Sequence, residues 1–251
     1  NLQQQRRFLL RGLALAGSGL LTAPVSVFAS DSAKWQLTER AGKSILSLHY
    51  NENSLGMSPN ALKAAQSAVA KYGNRYPDTL VETLRESLAS RHNSAPSQIL
   101  FGNGSTELLG AAVALAASQS RSVQNVTIVE PSPTFGGLRK YARTHGRNVE
   151  SVAVGKGLGT DIQALRENTE SIKGRVLVNI CNPNNPTGTI VNSDALTKWI
   201  TEAPDTVMFL VDEAYYEYAA PDKDYQSALP LVLQGKENLL VTRTFSKIYG
   251  M

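Results

Sequence analysis

From about residue 80 the chain alternates two rhythms of apolar and polar positions. Short apolar, often β-branched runs stand at Ile99–Phe101, Val126–Glu130, Val149–Val154, Val176–Ile180, Val207–Asp212 and Leu239–Thr242. Between them lie stretches with apolar residues three and four apart: Thr79–His92, Thr106–Ser118, Phe135–His145, Asp161–Asn168 and Ser193–Glu202. Pro59–Lys71, with alanines and a leucine at the same spacing, is a further one. The runs predict strands and the stretches predict helices. Several runs are continuously apolar rather than alternating, as expected of strands covered on both faces. Strand and helix in regular succession predict an α/β fold with a mostly parallel, doubly wound sheet. Ser30–Ser58 is the least regular part and reads as an arm across the surface.

The first 29 residues have a different texture. Arg6-Arg7-Phe8-Leu9-Leu10-Arg11 is followed by a Gly/Ala/Leu-rich stretch from Gly12 to Leu21 and then by Val27-Phe28-Ala29. A basic start, a short apolar centre and a small residue before a cut after Ala29 are the parts of a removable export signal. The arginine pair with its following leucines resembles the twin-arginine signal of bacteria, which implies the twin-arginine export machinery as a partner and a periplasmic product. The apolar centre, interrupted by Gly17, Ser18 and Gly19, falls short of the ~20 residues of a membrane span. The alternative is that residues 1–29 stay attached as a membrane anchor. Removing them leaves roughly 220 residues, 30–251, enough for one sizeable core.

Composition changes the picture little: 42% hydrophobic and 18% charged residues are ordinary for a globular protein. The net charge of +4 comes mostly from Arg6, Arg7 and Arg11, and residues 1–29 hold no acid. The remainder carries about +1 and shows no basic block interleaved with aromatics, so nucleic-acid binding is set aside. His49, His92 and His145 lack metal-ligand spacing, so no metal site is expected. Cys181, the single cysteine, forms no intrachain disulfide and reads as a small buried hydrophobe.

Ligands of open α/β sheets bind at the carboxyl ends of the strands, and the polar signals of this chain gather after the predicted strands. Gly102-Asn103-Gly104-Ser105-Thr106 opens a helix, where glycines and unpaired N–H groups suit an anion. Phe135, after Pro131-Ser132-Pro133-Thr134, can lie flat on an aromatic ring. Asn182-Pro183-Asn184-Asn185-Pro186-Thr187-Gly188 follows a third run, and Asp212 ends a fourth. After Leu239–Thr242 comes Thr244-Phe245-Ser246-Lys247. A lysine there can form an imine with an aldehyde cofactor, the two hydroxyls can hold its phosphate, and Asp212 can pair with a protonated ring nitrogen. That is the equipment of pyridoxal-phosphate chemistry. Each piece also has a plain reading: a turn and helix cap at Gly102–Thr106, a core Phe135, Asn-Pro turns, an ion-paired Asp212, a surface Lys247. Their combination in this order carries the functional reading.

Five strings resemble the fold-type I pyridoxal-phosphate aminotransferases of class I/II, nearest the histidinol-phosphate aminotransferase-like group. They are Asn74-Arg75-Tyr76-Pro77-Asp78, Gly102–Glu107, Asn182–Gly188, Asp212–Tyr215 and Thr244–Lys247. The resemblance runs from about Leu48 to Met251 and implies the large domain of such an enzyme. It implies that Lys247 holds the cofactor and moves the substrate's proton, and that Asp212 pairs with the ring nitrogen. Asn185 and Tyr215 would bond the ring's phenolic oxygen, and Phe135 would stack on the ring where the family often has tyrosine. Gly104, Ser105 and Thr106, with Thr244 and Ser246, would hold the phosphate. Tyr76 would reach the phosphate at the neighbouring subunit, which implies a homodimer with shared active sites. The family's arginine after the lysine and its C-terminal small domain would lie beyond Met251, so residues 30–251 read as an N-terminal arm and most of a large domain. The activity implied is transfer of an amino group between an amino acid or amino-alcohol phosphate and a 2-oxo acid. Two alternatives stay open: a lyase on the same scaffold, such as a phosphothreonine decarboxylase-like enzyme, and a non-enzymatic pyridoxal-phosphate-binding module.

Overall fold

The computed structural model describes residues 37–40, 43–46, 48–119 and 126–251. The proposed signal and the start of the predicted arm lie outside the described residues. The chain divides into two compact units, residues 1–50 and residues 51–251. In the first, β1 (Leu37–Arg40) and β2 (Lys43–Leu46) pair as an antiparallel hairpin, where the sequence predicted an irregular arm.

The second unit is built on five strands: β3 (Val126–Ser132), β4 (Asn148–Ala153), β5 (Arg175–Cys181), β6 (Val207–Asp212) and β7 (Leu239–Thr242). Their order is β4-β3-β5-β6-β7 and every pairing is parallel. Parallel neighbours need a crossover, and helices supply most of these connections. α1 (Pro59–Tyr72), α2 (Asp78–His92) and α3 (Ser105–Ser118) precede the first strand of the sheet, and the crossover helices are α4 (Gly137–Thr144), α5 (Ile162–Ser171), α6 (Ser193–Glu202), α7 (Tyr216–Ala219) and α8 (Leu229–Leu233). Among the described residues no helix is long and apolar enough to cross a membrane.

Both faces of the sheet are covered, as the continuous apolar runs implied. Val176, Val178 and Ile180 of β5 and Val207, Phe209 and Val211 of β6 point to one face, against Leu165 of α5 and Leu196, Trp199 and Ile200 of α6. The alternate residues Leu177, Met208 and Leu210 point to the other, against Leu109, Ala112 and Val113 of α3 and Leu138 and Ala142 of α4. Each fully buried side chain of this size stabilises the fold by ~1.5–3 kcal/mol before entropy is counted.

Local chemistry sets the helix starts. Asp161 and Asn192 accept from the backbone N–H of Ala164 (3.0 Å) and Ala195 (2.9 Å), capping α5 and α6. The sequence placed Asp161 inside its helix; it is the cap. It also began the fourth helix at Phe135, whereas α4 begins at Gly137, a position where the Phe135 ring folds back over the place of a Cβ. One strand expectation fails. Ile99 is extended, at φ −113° and ψ 124°, but Ile99–Phe101 joins no sheet ladder among the described residues. Its Ile99 carbonyl accepts from Arg85 (2.8 Å) instead, and Leu100 is exposed. An apolar run becomes a strand only where a neighbouring strand takes its backbone groups.

Candidate active site

Parallel strands end along one edge, so the loops that follow them meet there. The chain leaves β3 for β4 on one side and then crosses back to β5 on the other, which opens a crevice between β3 and β5. Two loops are laced together across it. Thr134 donates to Asn184 Oδ1 (2.7 Å), and Asn184 Nδ2 lies 3.0 Å from the Pro133 carbonyl and 2.9 Å from Thr187 Oγ1. Asn184 is buried, and its amide fixes the loop that carries Asn185.

Asp212 stands at the end of β6, 3% exposed. Its Oδ1 accepts from Thr242 Oγ1 of β7 at 2.9 Å, and the Ala214 backbone also bonds it. Burial pushes its carboxyl up to about 6; those two bonds, and Lys247 at longer range, pull the other way. Tyr215 follows three residues on. Asn185 Nδ2 approaches its hydroxyl at 3.4 Å, and Lys247 Nζ lies 5.8 Å from its ring centre. Burial raises the Tyr215 hydroxyl above the usual tyrosine range. Asp212, Tyr215, Asn185 and Lys247 are thus brought together from three loops. A cleft of about 350 Å³ opens beside them, lined by Asn185, Tyr215, Gly188, Tyr218 and Asp222 among others.

The residues expected to hold an anion sit on two further segments. Helix α3 packs on β5 and β7, and its far end leads to the start of β3. Its N-terminus, with Ser105 and Thr106, therefore lies at the edge where the strands end. Gly104 caps that terminus at φ 73° with open space around the place of a side chain. It offers no side-chain acceptor, so the first N–H groups of α3 point outward without a capping oxygen from this residue. Beyond β7, Thr244 Oγ1 donates to Ser246 Oγ (2.8 Å) and accepts from the Ser246 N–H (3.0 Å), a tight hydroxyl turn just before Lys247. Phe135 is half-exposed in the loop after β3, next to the Thr134–Asn184 link. Tyr76 lies in the loop between α1 and α2 and is 91% exposed. Cys181 is buried beside Asp212, and burial pushes its thiol up to about 12, which leaves it inert.

Reading the sequence missed three supports of this site. Thr242 is Asp212's partner, and only the β6–β7 register reveals it. Glu213, fully buried, accepts from Arg243 (2.9 and 3.1 Å), from Ser227 and from the Ala228 N–H. Asn51 Nδ2 donates to the Tyr215 hydroxyl at 2.9 Å, closer than Asn185 does. The pair Asn51 and Asn53, in a loop with no other regular pattern, was the signal available.

Residues 43–251 match the family model for aminotransferase class I and II. The chain belongs to the class I and II aminotransferases. Histidinol-phosphate aminotransferase 1 of Bacillus cereus is 36% identical over 207 residues, covering 82% of this chain and 53% of that protein. A solved structure from Erwinia carotovora atroseptica, assigned provisionally as a histidinol-phosphate aminotransferase, is 38% identical with a TM-score of 0.75, covering 80% of this chain and 56% of the other. The histidinol-phosphate aminotransferase of Sinorhizobium meliloti, solved with pyridoxal 5'-phosphate, is 26% identical with a TM-score of 0.71, covering 80% and 52%. This aminotransferase chain spans about half the length of the relatives it matches.

Proposed function

We propose that this chain is the cofactor-binding part of a pyridoxal-phosphate-dependent aminotransferase. It would move an amino group between an amino acid or amino-alcohol phosphate and a 2-oxo acid. The observation that carries the reading is the meeting of Lys247, Tyr215, Asn185 and the buried Asp212 at one edge of the sheet. The residues fit the cofactor. A carboxylate that burial disfavours would be stabilised by a cationic ring nitrogen beside it, and Lys247 supplies the amine for an aldehyde. The bare N-terminus of α3 with the open Gly104, and the Thr244–Ser246 turn, suit a phosphate dianion. The bound cofactor supplies an electron sink for the substrate's α-carbon. With the cofactor bound, Asp212 would hold the charge on its ring nitrogen, Tyr215 and Asn185 would offer hydroxyl and amide donors to its ring oxygen, and Lys247 Nζ would take and return the α-proton.

Three finer assignments belong to the same proposal. A histidinol phosphate-like donor is supported by the names those proteins carry. A homodimer with Tyr76 reaching into its partner's site is supported by that ring's exposure. Export to the periplasm is supported by Arg6-Arg7 and the segment up to Ala29.

Borohydride reduction of full-length protein incubated with pyridoxal phosphate, followed by peptide mapping, tests the central claim. A stable adduct on Lys247, absent in Lys247→Ala, is expected. An adduct on another lysine, or none, overturns the reading. Screening amino donors against 2-oxoglutarate then separates transamination from decarboxylation.

A further inference from the structure

The loop Asn51–Gly56 lies against two parts of the site at once. Asn51 Nδ2 donates to the Tyr215 hydroxyl (2.9 Å), and Asn53 Nδ2 donates to the carbonyl of Ile248 (2.8 Å), the residue after Lys247. At its end, a Cβ on Gly250 would run into the Gly56 carbonyl, so loop and lysine turn are in close register. That turn is itself closed by the Gly250 N–H on the Lys247 carbonyl (3.1 Å). Asn51 sits at φ 53°, a left-handed conformation that costs most side chains ~1–2 kcal/mol and asparagine less. The backbone is bent in a way that aims this amide at the tyrosine.

A tyrosine oxygen has two lone pairs and one proton. Asn51 and Asn185 both present amide N–H groups to it, at 2.9 and 3.4 Å. With both lone pairs so engaged, the hydroxyl proton must be donated, not withheld. We infer that Asn51 is a positioning residue that makes Tyr215 an obligate hydrogen-bond donor into the site, while Asn53 ties the same loop to the lysine turn. This rests on the aminotransferase reading, under which the tyrosine proton goes to the cofactor's phenolic oxygen. The titratable groups around Tyr215 are Asp212, Cys181 and Tyr218, with Lys247 over its ring. None of them is an amide that can fill Asn51's place.

The test uses full-length protein loaded with pyridoxal phosphate and reads the pH dependence of the bound cofactor's absorbance. Asn51→Asp keeps the shape and tolerates the same backbone but replaces a donor by an acceptor, so the tyrosine proton turns towards residue 51. The apparent pKa of the lysine–cofactor linkage is expected to rise by about one unit, the size of one lost hydrogen bond to a charged oxygen. Asn51→Gly, which accepts the positive φ and removes the amide, is expected to shift it the same way by less. In a Tyr215→Phe background neither change should add a further shift. Equal shifts with and without the Tyr215 hydroxyl, or no shift in either variant while Lys247 is still labelled by borohydride, overturn the inference alone. Failure to label Lys247 in the unaltered protein overturns the aminotransferase reading and this inference with it.

Discussion

A carboxyl buried at the end of β6, with one hydroxyl and one backbone amide as partners, keeps its proton to higher pH than a surface aspartate. Free aspartate titrates near 3.8, and Asp212 in the fold near 6. The folded state therefore binds this proton more tightly than the unfolded chain. The stabilisation is fully present below about pH 4 and is lost as pH rises through about 6. Asp212→Asn removes the titration and keeps an acceptor for Thr242. At pH 8 the cofactor-free variant is expected to exceed the unaltered protein in stability by ~3 kcal/mol, from two pKa units at ~1.4 kcal/mol each. At pH 4 the advantage should vanish. Denaturant unfolding at both pH values checks this, and a difference that does not change with pH would disprove it. Asp212 was legible in the sequence as a polar residue closing an apolar run. Its raised pKa was not, because desolvation depends on what surrounds the carboxyl.

Beyond β7 the chain must leave the sheet and present Lys247 within five residues of Thr242. The exit is anchored. The Glu213 N–H continues the ladder to the Thr242 carbonyl (2.8 Å), and Arg243 turns back onto the Glu213 carboxylate, its guanidinium 3.5 Å from the Tyr216 ring centre. Arg243→Ala leaves Glu213 buried with only Ser227 and the Ala228 N–H. Breaking a buried pair from one side costs ~3–5 kcal/mol, whereas replacing both partners is often near neutral. Chemical denaturation should show that loss for Arg243→Ala and recover most of it in Glu213→Gln/Arg243→Met. A loss below about 1 kcal/mol for the single variant would show that the pair does not anchor the exit. Glu213 stood inside a string read for another reason, Asp212–Tyr215, and Arg243 falls between the run Leu239–Thr242 and the string Thr244–Lys247. Their partnership needs β6 and β7 side by side.

The site draws on the ends of β3, β5, β6 and β7, so it exists only when the sheet does. A cofactor held by such a site can enter only a folded chain. This agrees with the proposed twin-arginine route, which carries folded cargo (the resemblance of Arg6-Arg7 is the reason for proposing it). In full-length precursor, changing Arg6 and Arg7 to lysine is expected to leave the protein in the cytoplasm at nearly its normal folded level. Cell fractionation decides it, and unchanged export of the double variant would rule the route out. A mature N-terminus that still contains residues 1–29 would favour an anchor instead.

The sequence by itself determined the α/β alternation, because short continuous apolar runs and period-3.6 patterns report which faces are buried regardless of order in the sheet. It determined the positions of Asp212 and Lys247 after their strands, because a polar group closing an apolar run is a local signal. Only the tertiary structure decided that Ile99–Phe101 joins no sheet ladder among the described residues, since a strand is defined by its neighbour. Only the structure set Thr242 on Asp212, Arg243 on Glu213 and Asn51 on Tyr215, contacts that join residues 30, 30 and 164 positions apart. Hydrogen bonds of that reach carry no periodic trace along the chain. They arise when parallel strands bring their ends to one edge, and there the buried charges and hydroxyls must find partners or destabilise the fold.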